Sequence, residues 1–147
     1  MITVKISTKG RYGLRLMFDL ALHYGKGMTP LKEIAKRQEI SDKYLEQIIM
    51  QLNRAGLVRS VRGSQGGSSL REAPDKILVG DVLRAVEGSL APVECLDEPG
   101  SCPNADLCVT VTVWRKVREA IESVVDHMTL QDLVDDYLAK GQSDYCI

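Results

Sequence analysis

The sequence predicts a mainly α fold that carries one small β-hairpin and one long helix with an apolar stripe left over. Three observations predict it. Apolar residues recur at spacings of three and four over most of the 147-residue chain. One short segment, Leu57–Arg62, alternates apolar with polar residues and runs into a glycine-rich tip. Further on, Trp114, Val117, Ile121, Val124 and Met128 step by three and four in strict alternation, the spacing of a packed helix pair. At 44% apolar and 27% charged, the composition supports a real core. Aromatic residues are only 5% of the chain, so that core must be mainly aliphatic.

The elements follow in order. After an extended start over Ile2–Ile6, Thr8 is placed to cap a helix from Lys9 to Tyr24, with Leu16, Met17, Leu20, Ala21 and Tyr24 inward. Gly25 and Gly27 end it. Thr29-Pro30 reads as a cap followed by proline at the first helical position, opening a short helix from Leu31 to Gln38 with Leu31, Ile34 and Ala35 inward. The joint Glu39-Ile40-Ser41 leads to a longer helix from Asp42 to about Ala55, capped by Ser41 and stopped at Gly56. Its inward stripe is Tyr44, Leu45, Ile48, Ile49 and Leu52. Two helices on a three-residue joint make a helix-turn-helix. The strand Leu57–Arg62, the tip Gly63–Gly67 and a return strand Ser68–Arg71 add a wing, with Arg59 and Arg62 expected on one side of it.

Ala73-Pro74-Asp75 marks a boundary. Beyond it a short helix is expected over Val79–Glu87, with Val82, Leu83 and Val86 inward and Gly88 as its stop. Residues 89–108 read as a Pro/Gly-rich loop. The long helix spans about Val109 to Met128, and Thr129-Leu130-Gln131-Asp132 caps a final helix to about Ala139. The domain organisation read from this is a winged helix-turn-helix domain over 1–72, an effector and dimerisation region over 73–141 with a cysteine loop at 95–108, and a flexible tail over 142–147.

Charge divides the chain at the same boundary. Residues 1–71 carry 13 Lys and Arg against 5 Asp and Glu, a net of +8, and residues 72–147 carry 6 against 15, a net of −9. A basic front half suits a polyanion, and an acidic rear half must face elsewhere. No apolar run approaches the roughly 18 residues that span a bilayer, and no signal-peptide apolar stretch opens the chain. The expected compartment is the cytosol. There Cys95, Cys102, Cys108 and Cys146 are metal ligands or thiols rather than disulfides. An enzyme is not expected: no nucleophile–His–acid set and no phosphate-cradling glycine loop opening a helix is present.

Double-stranded DNA is the expected partner of the basic half. Lys43, Glu46 and Gln47 lie off the buried stripe near the start of the second motif helix, the end that reaches base edges in such domains. Gln pairs bidentately with adenine, Glu accepts from cytosine, and Lys reaches guanine or phosphate. Lys5, Lys9, Arg11 and Arg15 are expected on phosphates, and Arg62 beside the glycine tip in a minor groove. In the other half, Cys95-x6-Cys102-x5-Cys108 gathers three thiols in one loop, a donor set for an iron–sulfur cluster or zinc. The alternative is three unrelated reduced thiols with no metal. His23 and His127 are read as surface or packed histidines.

Residues 4–14, Tyr44-Leu45-Glu46-Gln47, Gly56–Gly63 with Gly66-Gly67, Val79–Glu87 and Thr129–Leu133 together resemble the Rrf-type family of bacterial winged-helix regulators, over nearly the whole chain to about Val134. The three-cysteine loop resembles that of the family's iron–sulfur branch. The resemblance implies a homodimer on a palindromic operator and a 2Fe–2S cluster on Cys95, Cys102 and Cys108. It places Lys43, Glu46 and Gln47 at the base-reading positions and Arg62 in the wing arginine's place, and makes the helix from Val109 the dimer helix; Lys9, Arg11, Tyr44 and Arg59 are the further residues expected at the DNA. Two positions depart from the pattern. Where cluster-binding members carry a histidine ligand three residues after the last cysteine, this chain has Val111; Glu94, Asp97, Asp106 or a residue from the partner's first helix are the substitutes. Where the family often has an aromatic residue after Gly66-Gly67, Ser68 and Ser69 follow. The segment Asp144-Tyr145-Cys146-Ile147 is similar to the end of serine acetyltransferase, which docks its terminal isoleucine in cysteine synthase, and to a family repressor of cysteine metabolism that partners that enzyme. Cysteine synthase, met through Ile147, is thus the alternative partner.

Overall fold

The computed structural model describes residues 6–64, 66–92 and 109–141. Six helices and one hairpin appear in chain order: α1 (Thr8–Leu22), α2 (Leu31–Gln38), α3 (Asp42–Arg54), β1 (Val58–Val61), β2 (Gly67–Leu70), α4 (Val79–Glu87), α5 (Val111–Val125) and α6 (Leu130–Ala139), with a 3-10 turn at Pro74–Lys76. Lys5, the four cysteines, Glu94, Asp97, Asp106 and Ile147 lie outside the described residues. The expected mainly α fold with a winged helix-turn-helix and a long following helix is what the described residues form.

Local chemistry sets most boundaries. Ser41 accepts a hydrogen bond from the Tyr44 amide at 3.2 Å and starts α3. Thr129 and Asp132 exchange bonds of 3.2 and 2.9 Å in a capping box that starts α6. At the head of α1 the cap is Ser7, not Thr8, because the Ser7 hydroxyl reaches the Gly10 amide at 3.3 Å. That helix stops at Leu22, and Tyr24 is exposed rather than inward. Pro30 itself occupies the cap of α2 and Thr29 gives no side-chain cap bond. Instead the Thr29 backbone pairs with Ser68 through bonds of 2.9 and 2.8 Å, so the linker before α2 acts as a third short strand beside the wing. Gly67 permits this: its φ is 149°, and a Cβ there would strike the Thr29 carbonyl. The hairpin register pairs Val58 with Leu70 and Ser60 with Ser68. In β1 only Val58 is buried, so the strand is less half-buried than its alternation suggests.

One core unites both halves. Leu16, Met17 and Leu20 of α1 pack with Ile34 of α2, Leu45, Ile48 and Leu52 of α3, and Val58 of the wing. Ile77, Val82, Val86 and Leu130 from beyond the charge boundary belong to the same cluster. The change of charge sign near residue 72 therefore does not coincide with a break in packing. Backbone bonds from Val79 to Met128 and from Leu130 to Ile77 join the starts of α4 and α6.

A buried acid sits inside this core. Asp19 of α1, 2% exposed, receives Arg37 through bonds of 2.7 and 3.1 Å and the Gln38 amide at 3.1 Å. The Asp19 carboxylate raises the Arg37 guanidinium pKa, chiefly by hydrogen bonding. Arg37 is 39% exposed on its side chain and Asp19 3%, so only the arginine can rehydrate when its partner is removed. Arg37→Ala, which strands a buried carboxylate, is expected to cost about 3 kcal/mol. Asp19→Ala is expected to cost about 1–2 kcal/mol. Urea unfolding of both variants checks the order.

Candidate nucleic-acid interface and the unpaired helix

On α3 the stripe Leu45, Ile48, Ile49 and Leu52 is buried, which turns Lys43, Glu46, Gln47 and Met50 outward. Lys43 lies three and four residues before Glu46 and Gln47, and Met50 four and three after them, so all four share one exposed face. Tyr44 is half-buried at its edge and meets the Tyr12 ring edge-on, centroids 5.6 Å apart. The Arg15 guanidinium stacks over Tyr12 at 5.6 Å and donates to the Gln38 side chain at 3.2 Å and the Gln38 carbonyl at 3.0 Å. Arg15 thus clamps the end of α2, where Glu39 bends the chain with a left-handed φ of 55°, and is not a free cation for phosphate. Arg11 is exposed at the head of α1 and reaches the Thr8 hydroxyl at 3.3 Å, with half-buried Lys9 on the same turn.

The wing separates its two arginines. Arg59 lies within β1 opposite Ser69, whereas Arg62 follows the strand's end. Strand alternation sets the side of Arg59 but not of Arg62, which lies between β1 and the glycine tip. Arg59 lines an open hollow with Tyr24, Met28 and Arg71. Ser68, where a family aromatic often stands, is buried and shares a 2.9 Å hydroxyl bond with Ser60.

On the other side of the molecule α5 buries none of its residues. It begins at Val111 and ends at Val125, shorter than the Val109–Met128 span expected, because Met128 is drawn into the pairing with Val79. Val113 and Val124 are 51% and 57% exposed, which marks an apolar face without cover in the single chain. A cavity of about 470 Å³ lies between this face and α4, lined by Ile6, Leu83, Glu87, Leu90, Ile121 and Val124 among others. One arginine fastens the helix: Arg84 of α4 donates to both Asp126 oxygens at 2.7 Å and to Glu122 at 3.3 Å. Both histidines turn back on their own helices, His23 Nδ1 to the Asp19 carbonyl and His127 Nδ1 to the Ser123 carbonyl, each at 2.8 Å. Among the described residues no three His, Cys, Asp or Glu side chains converge as a metal site. No described helix is long and apolar enough to cross a membrane.

A family model described as Rrf2, iron-dependent transcriptional regulator, matches residues 6–136. The chain belongs to the Rrf2 family. Among its relatives is the HTH-type transcriptional regulator CymR of Bacillus subtilis, 44% identical over 130 residues that cover 88% of this chain and 89% of the relative. Another is the HTH-type transcriptional regulator IscR of Aliivibrio salmonicida, 42% identical over 96% of this chain and 83% of its own length. The solved structure of T. potens IscR is 44% identical, covers 97% of this chain and 93% of its own, and superimposes with a TM-score of 0.75. These relatives are transcriptional regulators, and this Rrf2 chain is one with them: a DNA-binding regulator and not an enzyme.

Sequence reasoning foresaw the outward face of α3 from helical periodicity alone. It missed Met50 on that face, Arg15 as a clamp, and the Arg84–Asp126 pair. Hydrogen bonds from Arg84 hold the Asp126 carboxyl below its ordinary value, and the charge of His127 adds a smaller pull. A depressed carboxyl pKa contributes stability above pH about 4 that is lost as pH falls through the folded value. Both groups are about a third exposed, so the contribution is at most about 1 kcal/mol. Acidification below pH about 4 is expected to loosen α5 before the core unfolds, read by fluorescence of Trp114, the single tryptophan. Asp126→Asn should show the loosened signal already at neutral pH.

Proposed function

We propose that the chain is a cytosolic, dimeric repressor-type regulator that reads a palindromic operator and takes its signal on the cysteine loop. The observation that carries the DNA reading is the exposed row Lys43, Glu46 and Gln47 on α3, the second helix of the motif, in the half of the chain with a net charge of +8. In this reading Gln47 addresses adenine, Glu46 accepts from cytosine, and Lys43 meets guanine or phosphate. Lys9, Arg11 and the half-buried Tyr44 hold phosphates. Arg59 meets the backbone from the wing strand, and Arg62 beside the glycine tip enters the minor groove. Residues 1–72 do the reading, and 73–141 hold the partner protomer and the signal. The uncovered face of α5 supports a homodimer in which that helix meets its copy, bringing two α3 helices to two half-sites.

The donor set Cys95, Cys102 and Cys108 fits a soft metal centre in three of four positions. Val111, on the first turn of α5, is aliphatic and cannot be the fourth ligand. His23 and His127 each use Nδ1 on a backbone carbonyl of their own helix, and neither belongs to a cluster of three donors among the described residues. The iron-dependent description of the matching family favours a 2Fe–2S cluster over zinc or free thiols. When bound, such a cluster supplies a one-electron couple and changes the charge of the loop that holds it. Protein purified without oxygen is expected to carry iron and sulfide in near-equal amounts with visible absorption bands. Cys102→Ala is expected to lose the colour and remain a folded dimer. A colourless, iron-free wild type after reconstitution would contradict the cluster and leave zinc or thiols.

The 44% identity to CymR favours a second reading in which the same DNA-binding regulator serves cysteine metabolism, with cysteine synthase met through Ile147. Deleting Ile147 is expected to abolish capture of that enzyme in this reading; capture that survives the deletion would contradict it.

A further inference from the structure

The entry to α1 and the exit from α4 meet at one carboxylate. Glu87, the last residue of α4, accepts a hydrogen bond from the Ser7 backbone amide at the head of α1. Gly10, one turn into α1, is buried directly beneath it: an added Cβ would lie 2.6 Å from the Glu87 carboxyl carbon and 3.0 Å from its Cγ. Further along, Gly13 faces Val86 less tightly but still closely, with a Cβ position 3.2 Å from the valine methyl. The two glycines lower α1 onto α4 so that the acid reaches the helix head. The first turn of α1 has no acidic residue of its own and bears Lys9 and Arg11 instead. A negative charge belongs at a helix N-terminus, where the first amides are unpaired and the dipole is positive. Here α4 supplies it from 80 residues away.

We propose that Glu87 is a positioning residue for DNA binding: it holds the first turn of α1 in place so that Lys9 and Arg11 meet the phosphate backbone. The inference rests on the reading of Lys9 and Arg11 as phosphate contacts. It makes a prediction of unusual sign. Removing a carboxylate from a surface that binds a polyanion ordinarily tightens binding, because one repulsion is lost. If Glu87 positions two cations, its removal weakens binding instead.

The test uses the full-length protein and a mixed-sequence 30-base-pair duplex, so no operator is needed. Affinity is measured across a salt series for wild type, Glu87→Ala, Glu87→Gln, Gly10→Ala and Lys9→Ala/Arg11→Ala, alone and combined with Glu87→Ala. Glu87→Ala is expected to bind about tenfold more weakly, with a salt slope lower by about one contact. Gly10→Ala, which pushes the acid away from the α1 side, should do the same. Glu87→Gln keeps an acceptor at the same reach and should recover most of the affinity. In the Lys9→Ala/Arg11→Ala background Glu87→Ala should add no further loss. Unchanged or tighter binding by Glu87→Ala overturns the inference, as does an equal loss in that background, which marks a general structural defect. A Lys9→Ala/Arg11→Ala protein that binds like wild type removes the contact assignment itself, and the inference with it.

Discussion

The carboxylate of Asp19 is the constraint on which the geometry of the motif depends. It lies inside the core of α1 and holds Arg37 and Gln38 of α2. Gln38 in turn holds Arg15, which stacks on Tyr12, and Tyr12 meets Tyr44 at the start of α3. A continuous set of polar and aromatic contacts therefore runs from α1 through α2 to the helix that presents Lys43, Glu46 and Gln47. Apolar packing alone tolerates small rotations of one helix on another, whereas a buried charge with fixed partners admits few arrangements. In this chain the network sets the angle at which α3 faces outward.

Charge and packing divide the molecule differently. The basic and acidic halves differ by sign at about residue 72, yet Ile77, Val82, Val86 and Leu130 complete the same core as Leu16 and Leu45. The acidic half is thus part of the same fold as the basic half. It touches the basic half at defined points: Glu87 at the head of α1, and Val86 against Gly13. The long helix α5 is the exception, fastened chiefly through Arg84 with its apolar face uncovered. The proposed dimer would use that uncovered face, while the core that carries α3 stays within one protomer.

What the sequence disclosed depended on range. The α3 cap at Ser41, the Thr129–Asp132 box, the stops at Gly56 and Gly88, and the outward row on α3 all follow from residues within four of one another, and all were legible. The shift of the α1 cap from Thr8 to Ser7 was not, because Glu87 also binds the Ser7 amide from across the fold. Thr29 promised a side-chain cap but was taken up by backbone pairing with Ser68. Arg15 looked like a phosphate ligand because its partner Gln38 is 23 residues away. Asp19 gave no signal at all: one acid on an apolar helix reads as surface until Arg37 is brought over it. The three cysteines were legible as a donor set by chemistry alone, and their placement lies outside the described residues.

In the proposed dimer, two copies of this chain present two α3 helices to one operator. The measurement that tests this most directly is selection of fragments from bacterial genomic DNA by the purified full-length protein, followed by sequencing. A recurrent pseudo-palindrome is expected, its half-sites centred about one helical turn apart, roughly 10 base pairs or a multiple, because α3 of each protomer enters successive major grooves. Fragments that share no site, or that share a single unpaired half-site, would contradict it.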